Sequence, residues 1–253
     1  MKKKKKRTIN IIIYLVLRFL VIVCMTSQII RGNWNNVFLC FLTLLLFTIP
    51  TFLDKALKIK LPSTLEIITY LFIFAAEILG EIQNFYGIFH HWDSILHTLN
   101  GFIMAAIGLS LIDILNRKKV FEMNLSPFFV SLFAFCFSMT IGVMWEFGEF
   151  FLDNNFNTDC QKDRFIHEIV SEKISDSNEK EVLKDITTVK IYSNDNQVTI
   201  MNGYLDIGLI DTIKDLLVNF VGASVFSILG YFYVKNRDKY QFLEIFFPKL
   251  KEN

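Results

Sequence analysis

Four pairs of ionisable residues lie at helical spacing inside otherwise apolar segments of this chain. The two members of each pair are three or four positions apart, which places them on one face of an α-helix. The pairs are Glu77/Glu81, Asp93/His97, Glu146/Glu149 and Asp211/Asp215. Ionisable side chains are costly inside a bilayer, so each one is a functional candidate if these helices cross a membrane. One imidazole with several carboxylates is the ligand type of carboxylate-rich metal sites in helix bundles.

A divalent metal ion is the simplest group that would hold these carboxylates together, because otherwise their charges would repel one another. Nitrogen and oxygen ligands suit Zn, Mn or Fe, and a larger share of oxygen ligands suits Mg or Ca. We predict that Glu146 and Glu149 also include the general base of a catalytic site. The predicted metal ligands are Asp93, His97, Glu146, Glu149, Asp211 and Asp215, and the accessory residues are Glu77, Glu81 and Asn219. No organic cofactor site is predicted.

Each of these residues alone also has a structural explanation. Asp93 or Asp211 could be a helix N-terminal acid that the helix dipole favours, and Glu149 could lie in headgroup water. His97 and Asp215 are harder to explain in this way. Each lies one turn further into its helix, about 6 Å deeper at 1.5 Å per residue.

The elements that position these residues are predicted to be membrane-spanning helices. The chain has 253 residues, of which 53% are apolar, and its mean hydropathy is +0.41. This composition excludes disordered chains and disulfide scaffolds. About 20 apolar residues cross the hydrocarbon of a bilayer. Six segments qualify, near residues 9–29, 36–53, 64–83, 94–115, 127–150 and 211–234.

We therefore predict an all-α polytopic transmembrane bundle of six spans, with a small extracytoplasmic α+β insertion between spans five and six. In the insertion, residues 163–186 have helical spacing, whereas 187–193 and 198–204 alternate like a hairpin. Residues 240–250 mix large apolar side chains with lysines, which is typical of an interfacial segment. The predicted parts are a cytoplasmic N-terminus (1–8), transmembrane helices one to five (9–151), an extracytoplasmic cap (152–207), transmembrane helix six (208–234) and a cytoplasmic tail (235–253).

The positions of the basic residues predict the orientation of the bundle, since Lys and Arg of short loops stay on the cytoplasmic side. Seventeen of the 26 basic residues lie in the N-terminus, the 54–63 and 116–125 loops and the tail. Both termini are therefore predicted to be cytoplasmic, and all four ionisable pairs fall in the outer half. The formal net charge of +1 does not indicate a nucleic-acid partner.

Three sequence motifs resemble the YjdF-like family of small bacterial membrane-spanning proteins. They are His91-Trp92-Asp93-Ser94-Ile95-Leu96-His97 followed by Gly101-Phe102, then Trp145-Glu146-x-x-Glu149, then Asp211-Thr212-x-x-Asp215 followed by Gly222-Ala223. The corresponding family pattern is D-x-x-x-H-x-x-x-G-F, Y/W-E-x-x-E and D-T-x-x-D-x(6)-G-A. The resemblance implies a polytopic protein of the bacterial plasma membrane. It also implies that the six predicted metal ligands are the shared set, and it supplies no reaction.

Three functions are consistent with such a site, and the sequence leaves open whether the protein is an enzyme. The first is a metal-dependent enzyme that acts on a lipid or an envelope precursor. The second is a cation or proton transporter, which needs polar residues that continue toward the cytoplasm. Only Arg18, Glu66 and Asp113 extend the polar set in that direction. The third is a non-catalytic scaffold or sensor. The bilayer is the predicted partner in all three, and no oligomeric state is predicted.

Overall fold

The computed structural model describes residues 2–56, 59–60, 62–117, 124–156, 158–176, 179–194, 198–247 and 249–250. Most of these residues are helical. The α-helices are α1 (Lys2–Ile30), α2 (Trp34–Leu46), α3 (Ile49–Ala56), α4 (Ser63–Phe74), α5 (Phe85–Ile88), α6 (Trp92–Arg117), α7 (Pro127–Phe156) and α8 (Leu209–Lys235). A π-helix (Ala75–Ile82) follows α4 directly, and a 3₁₀ helix (Gln241–Phe246) follows α8.

Within the described residues, five stretches are long and apolar enough to cross a membrane. They are Ile9–Ile30, Trp34–Phe52, Trp92–Asp113, Pro127–Phe156 and Leu209–Lys235. They match predicted spans one, two, four, five and six, and the polytopic helical bundle is confirmed. The predicted third span is helical from Ser63 to Ile82, but it changes from α to π at Ala75. The count of six spans stays a prediction.

Helix α1 exposes large apolar side chains and buries polar ones, which is the arrangement suited to lipid. On α1, Phe19 is 64% exposed and Leu15 is 56% exposed, whereas Asn10 and Gln28 are each only 7% exposed. Water would favour the opposite arrangement. In a bilayer, apolar side chains face acyl chains at no cost, and polar side chains find partners between helices.

The chain divides into two compact units, residues 1–143 with 215–253, and residues 144–214. The first unit contains two apolar cores. One is formed by α1, α2, α4 and the π-helix, through Leu17, Val21, Cys40, Phe47, Tyr70, Ile73 and Ile78. The other is formed by α6, α7, α8 and the tail, through Ala105, Ala106, Leu109, Ile112, Val130, Ala134, Phe226, Tyr233, Leu243 and Phe247.

Helices α6 and α8 cross with their backbones in direct contact. A Cβ atom at Gly101 would lie 3.0 Å from the backbone nitrogen of Ala223 and would overlap the carbonyl oxygen of Asn219. A Cβ atom at Gly222 would overlap the carbonyl oxygen of Thr98. Small residues at a crossing are what allow such a close approach of transmembrane helices. The two glycines therefore hold the register of α6 against α8.

The segment after α8, predicted to be interfacial, also packs into the second core. Leu243 and Phe247 are 2% and 3% exposed, and the Phe247 ring stacks on that of Tyr233 at a centroid distance of 4.3 Å. Phe242 remains 63% exposed. Strand β1 (Ile59–Lys60) pairs antiparallel with the terminal strand β8 (Lys249–Leu250).

Among the described residues, the second unit carries six short strands, and one prediction for it is wrong. The strands are β2 (Phe165–Ile166), β3 (Ile169–Ser171), β4 (Glu181–Leu183), β5 (Val189–Tyr192), β6 (Val198–Met201) and β7 (Tyr204–Leu205). The β5–β6 hairpin confirms the alternation, and β3–β4 and β2–β7 also pair antiparallel. The helix predicted over 163–186 is instead β2, β3 and β4. The β-branched residues Ile169, Val170 and Val182 favour strands there, and pairing between strands overrides the local helical spacing.

Candidate functional site

Three of the predicted metal ligands come together in the first unit. Asp93 and His97 lie one turn apart at the start of α6, and Asp215 lies on α8. One ligand atom from each of the three residues lies within 4.8 Å of the other two. His97 is 9% exposed, Asp215 is 2% exposed, and the Asp93 side chain is 27% exposed. We call this group the Asp-His-Asp trio.

The distances within the trio are close to those that a metal ion requires. His97 Nε2 lies 3.4 Å from Asp93 Oδ1. Bonds of 2.0–2.2 Å at tetrahedral angles place two ligand atoms about 3.4 Å apart. The upper separation of 4.8 Å therefore has to shorten by only about 1.4 Å on binding, which side-chain rotation can supply.

An amide pair below the trio joins the same two helices. Asn219 is fully buried, and its Oδ1 accepts a hydrogen bond from Asn100 Nδ2 at 3.3 Å. Its Nδ2 lies 3.5 Å from Met139 Sδ, and a Cβ atom at Gly142 would lie 2.7 Å from that same Nδ2. The accessory residue Asn219 therefore ties α8 to α6 and packs closely against α7. Asn100 was not among the predicted site residues, although it is three positions after His97 and so shares its helix face.

Asp211 is bound by residues of the second unit. Its Oδ2 accepts a hydrogen bond from the backbone nitrogen of Lys162 at 3.0 Å. Its Oδ1 lies 3.6 Å from Arg164 Nη2 and 3.9 Å from Lys214 Nζ. Asp211 therefore holds the 162–164 loop against the start of α8, and its assignment as a metal ligand stays a prediction.

Glu146 and Glu149 also belong to the second unit, on the last turns of α7. Glu146 is 4% exposed. Carboxylates are rarely buried to this extent, so Glu146 is not an ordinary surface residue. Glu149 Oε1 accepts a hydrogen bond from Trp145 Nε1 at 2.9 Å, one turn earlier. The catalytic and metal-binding roles assigned to these two residues stay predictions.

The accessory residues Glu77 and Glu81 lie in the π-helix. Glu77 is half-buried and Glu81 is exposed. The carbonyl oxygen of Ala75, at the first residue of the π-helix, accepts a hydrogen bond from Trp92 Nε1 at 3.3 Å. Short π-helical segments are frequent at functional sites. Apolar periodicity does not distinguish a π-turn from an α-turn, so the sequence carried no signal for it.

Two aspartates that the sequence analysis did not single out shape the loop that follows α7. Asp153 accepts hydrogen bonds from the backbone nitrogens of Cys160 at 2.7 Å and Gln161 at 2.9 Å. Asp206 accepts from the backbone nitrogen of Arg164 at 2.6 Å and from that of Ile210, in the first turn of α8, at 3.0 Å. Both aspartates lie beside helix ends, where aspartate side chains commonly bond to backbone N–H groups. This position is the sequence feature that could have identified them.

Burial and charge shift the pKa of two groups in this loop. Burial raises the pKa of the Cys160 thiol to about 11, so the thiol is protonated at neutral pH. Burial, and then the neighbouring carboxylates of Asp159, Asp206 and Asp153, raise the pKa of Asp163 above its usual range. Four aspartate carboxylates therefore lie close to one another beside this loop.

Comparison with known proteins places the whole bundle in one family. The family model described as "Predicted membrane protein (DUF2238)" matches residues 11–236. An "Uncharacterized protein" of Thermotoga maritima is 27% identical over 112 residues, which are 43% of this chain and 56% of that relative. The chain thus spans little more than half the length of this curated relative. No solved structure matches the chain. Because the family model covers most of the chain and every predicted site residue, the chain belongs to the DUF2238 family of predicted membrane proteins, which is the YjdF-like family.

Proposed function

We propose that this membrane protein is a metal-dependent enzyme whose divalent cation is bound by Asp93, His97 and Asp215. The observation that carries the proposal is that three ligand atoms lie within 4.8 Å of one another. They come from α6 and α8, two helices that are far apart in the sequence. The imidazole and carboxylate donors suit Zn, Mn or Fe, and Mg where further oxygen ligands join.

Charge balance within the trio favours a metal ion over a proton. Two carboxylates carry a charge of about −2, and a protonated imidazole would offset only half of it. A divalent cation with a neutral imidazole offsets all of it.

The number of ligands favours catalysis over a purely structural site. Structural zinc sites are closed by four protein ligands, whereas catalytic sites keep a position open for water or substrate. A metal ion held by three residues can polarise a substrate oxygen or activate a water molecule. Glu146 and Glu149 remain our proposed general bases. We take the trio alone as the protein ligands, because ligation by Glu146, Glu149 or Asp211 as well would fill the open position. The proposed substrate is a lipid or an envelope precursor.

We further propose that the protein lies in the bacterial plasma membrane with both termini in the cytoplasm, so that the trio faces outward. The distribution of Lys and Arg supports this orientation. Single cysteines introduced at Asn202 and Lys239 of a cysteine-free variant test it. A membrane-impermeant maleimide should label the first and not the second in intact cells, and the reverse pattern would overturn the orientation.

The contacts of the inner polar residues favour the enzyme over the transporter. Asp113 forms an ion pair with Arg237. Glu66 accepts hydrogen bonds from Asn10 at 2.9 Å and Tyr70 at 3.3 Å. Arg18 donates a hydrogen bond to the Tyr14 hydroxyl at 2.8 Å, so all three inner ionisable residues have structural partners. Metal-dependent ion flux in reconstituted vesicles would reverse this preference.

Elemental analysis of detergent-purified protein is the direct test of the metal site. We expect about one divalent ion per chain, lost in His97→Ala and in Asp215→Asn. The matched controls are His90→Ala and Asp238→Asn, which change exposed residues of the same types. Equal metal content in the site variants and the controls would overturn the assignment, provided all four retain the wild-type melting profile.

A further inference from the structure

We propose that a groove between α6 and α8 binds an acyl chain of the lipid on which the Asp-His-Asp trio acts. This inference rests on the proposed function, because it names the class of substrate and the way it is held. The groove lies within the first unit and has a volume of about 470 Å³. Its walls include Ser94, Thr98 and Phe102 of α6, and Val221, Gly222 and Val225 of α8.

The groove exists because a glycine forms part of its wall. Gly222 has no side chain, and its Cα faces the backbone of α6 at Thr98. The flanking residues Val221 and Val225 are 52% and 47% exposed, so their side chains rise beside the glycine on the outer surface of α8. A concave, apolar channel between two membrane-spanning helices is the result.

The surroundings and the length of the groove identify its occupant. Both walls belong to stretches that are long and apolar enough to cross a membrane, so the groove opens into hydrocarbon. Within α6 the lining residues run from Ser94 to Phe102, which corresponds to about 12 Å at 1.5 Å per residue. The hydrocarbon of a bilayer is about 30 Å thick. On the α6 side the groove therefore extends over most of the depth of one leaflet, along which an acyl chain lies.

The groove and the trio lie on the same turns of α6. Ser94 and Thr98, which line the groove, directly follow Asp93 and His97, so the two sets occupy neighbouring faces of the helix, and a lipid chain in the groove would bring its ester or phosphate group to the level of the ligands. The Ser94 hydroxyl oxygen is buried and has no hydrogen-bond partner among the described residues. Buried hydroxyl groups are almost always paired. An ester or phosphate oxygen of the bound lipid would accept its hydrogen bond.

Photo-crosslinking in nanodiscs tests the proposal. The probe is a phosphatidylglycerol with a diazirine in one acyl chain, and mass spectrometry locates the labelled residues. We expect labelling of the groove walls to exceed that of the lipid-facing surface of α1 around Phe19 at least fivefold. Val225→Trp fills the groove and should abolish this excess. Ile228→Trp is the matched control, since Ile228 is exposed on the same helix but does not line the groove.

Ser94→Ala provides a second variant that leaves the shape of the groove intact. It should lower the groove labelling at least threefold at limiting probe, because the buried hydroxyl no longer binds the lipid oxygen. Equal labelling of the groove and of α1, equal labelling in Val225→Trp and Ile228→Trp, or crosslinks between two copies of the chain at the groove would overturn the proposal.

Metal content measured on the same samples separates the proposed metal site from the proposed acyl-chain site. Groove labelling without bound metal overturns the assignment of the lipid to a metal site, whereas bound metal without groove labelling overturns only the acyl-chain site.

Discussion

Arg237, two residues beyond α8, forms a bidentate ion pair with Asp113 at the far end of α6 from the trio. Nη2 lies 2.5 Å from Oδ1 and Nη1 lies 3.2 Å from Oδ2. Asp113 is 2% exposed, and the guanidinium also lies 5.1 Å from the centre of the Tyr233 ring. The pair joins the tail to the helix that carries Asp93 and His97, although 124 positions separate the two residues.

We expect Arg237→Ala to lower the free energy of unfolding by about 3 kcal/mol, because it removes one partner of a buried ion pair. Thermal unfolding in detergent measures the change. Lys235→Ala, an exposed cation at the end of α8, is the control. The double variant Arg237→Ala with Asp113→Ala should recover part of the loss, since it also removes the buried charge. Equal melting of the two single variants would contradict the prediction.

Gly222→Ala should destabilise the first unit by about 2 kcal/mol, because the added Cβ overlaps the Thr98 carbonyl oxygen and forces α6 and α8 apart. Gly148→Ala is the matched control, since a Cβ atom there meets no atom within 4 Å. That control should be neutral or stabilising by up to about 1 kcal/mol, as alanine favours a helix over glycine. A similar loss of stability in both variants would refute the close crossing.

Asn219→Ala should weaken metal binding more than it weakens the fold. Hydrogen bonds between transmembrane helices contribute about 0.6 kcal/mol on average, whereas loss of a group that orients metal ligands typically lowers affinity about 10-fold or more. Competition with a fluorescent chelator measures the affinity, and thermal unfolding measures the stability. Thr140→Ala is the control, because Thr140 is exposed on α7 and donates its hydrogen bond within its own helix, to the Cys136 carbonyl oxygen. An unchanged metal affinity would show that the Asn100–Asn219 pair does not position the trio.

Stability of the second unit should fall as pH rises through the pKa of Asp163. Burial and three neighbouring carboxylates raise this pKa in the folded chain. The folded state therefore holds the proton more tightly than the unfolded state, where the pKa is about 3.9, and it loses that advantage on deprotonation. Asp163→Asn should raise the melting temperature at pH 7 and reduce its pH dependence above pH 4.

The exposed Asp176→Asn is the control for this effect, because it removes the same charge from the same unit. The asparagine at 163 keeps an oxygen that can accept the hydrogen bond from the Gly208 backbone nitrogen. A melting curve of Asp163→Asn that follows wild type across the pH range would contradict the raised pKa.

Most of the secondary structure was available from the sequence, since hydropathy and spacing are local properties. A run of about 20 apolar residues has to be helical in lipid, where every backbone polar group needs a partner within its own segment. The helical spacing of Asp93 and His97, and the alternation of residues 187–193 and 198–204, could be recognised for the same reason. Local spacing does not determine the structure of the 163–186 segment. There, pairing partners up to 40 residues away decide between strand and helix.

Only the tertiary structure selected the trio from the eight ionisable residues in the four pairs. All four pairs share the same local pattern, but Asp215 reaches Asp93 and His97 because Gly101 and Gly222 let the α6 and α8 backbones touch. Asp211 has the same residue type one turn away and is bound instead by Lys162 and Arg164. Spacing along a helix determines which residues share a face, whereas the crossing of two helices determines which faces meet. That crossing depends on contacts more than 100 positions apart, such as Asn100 with Asn219.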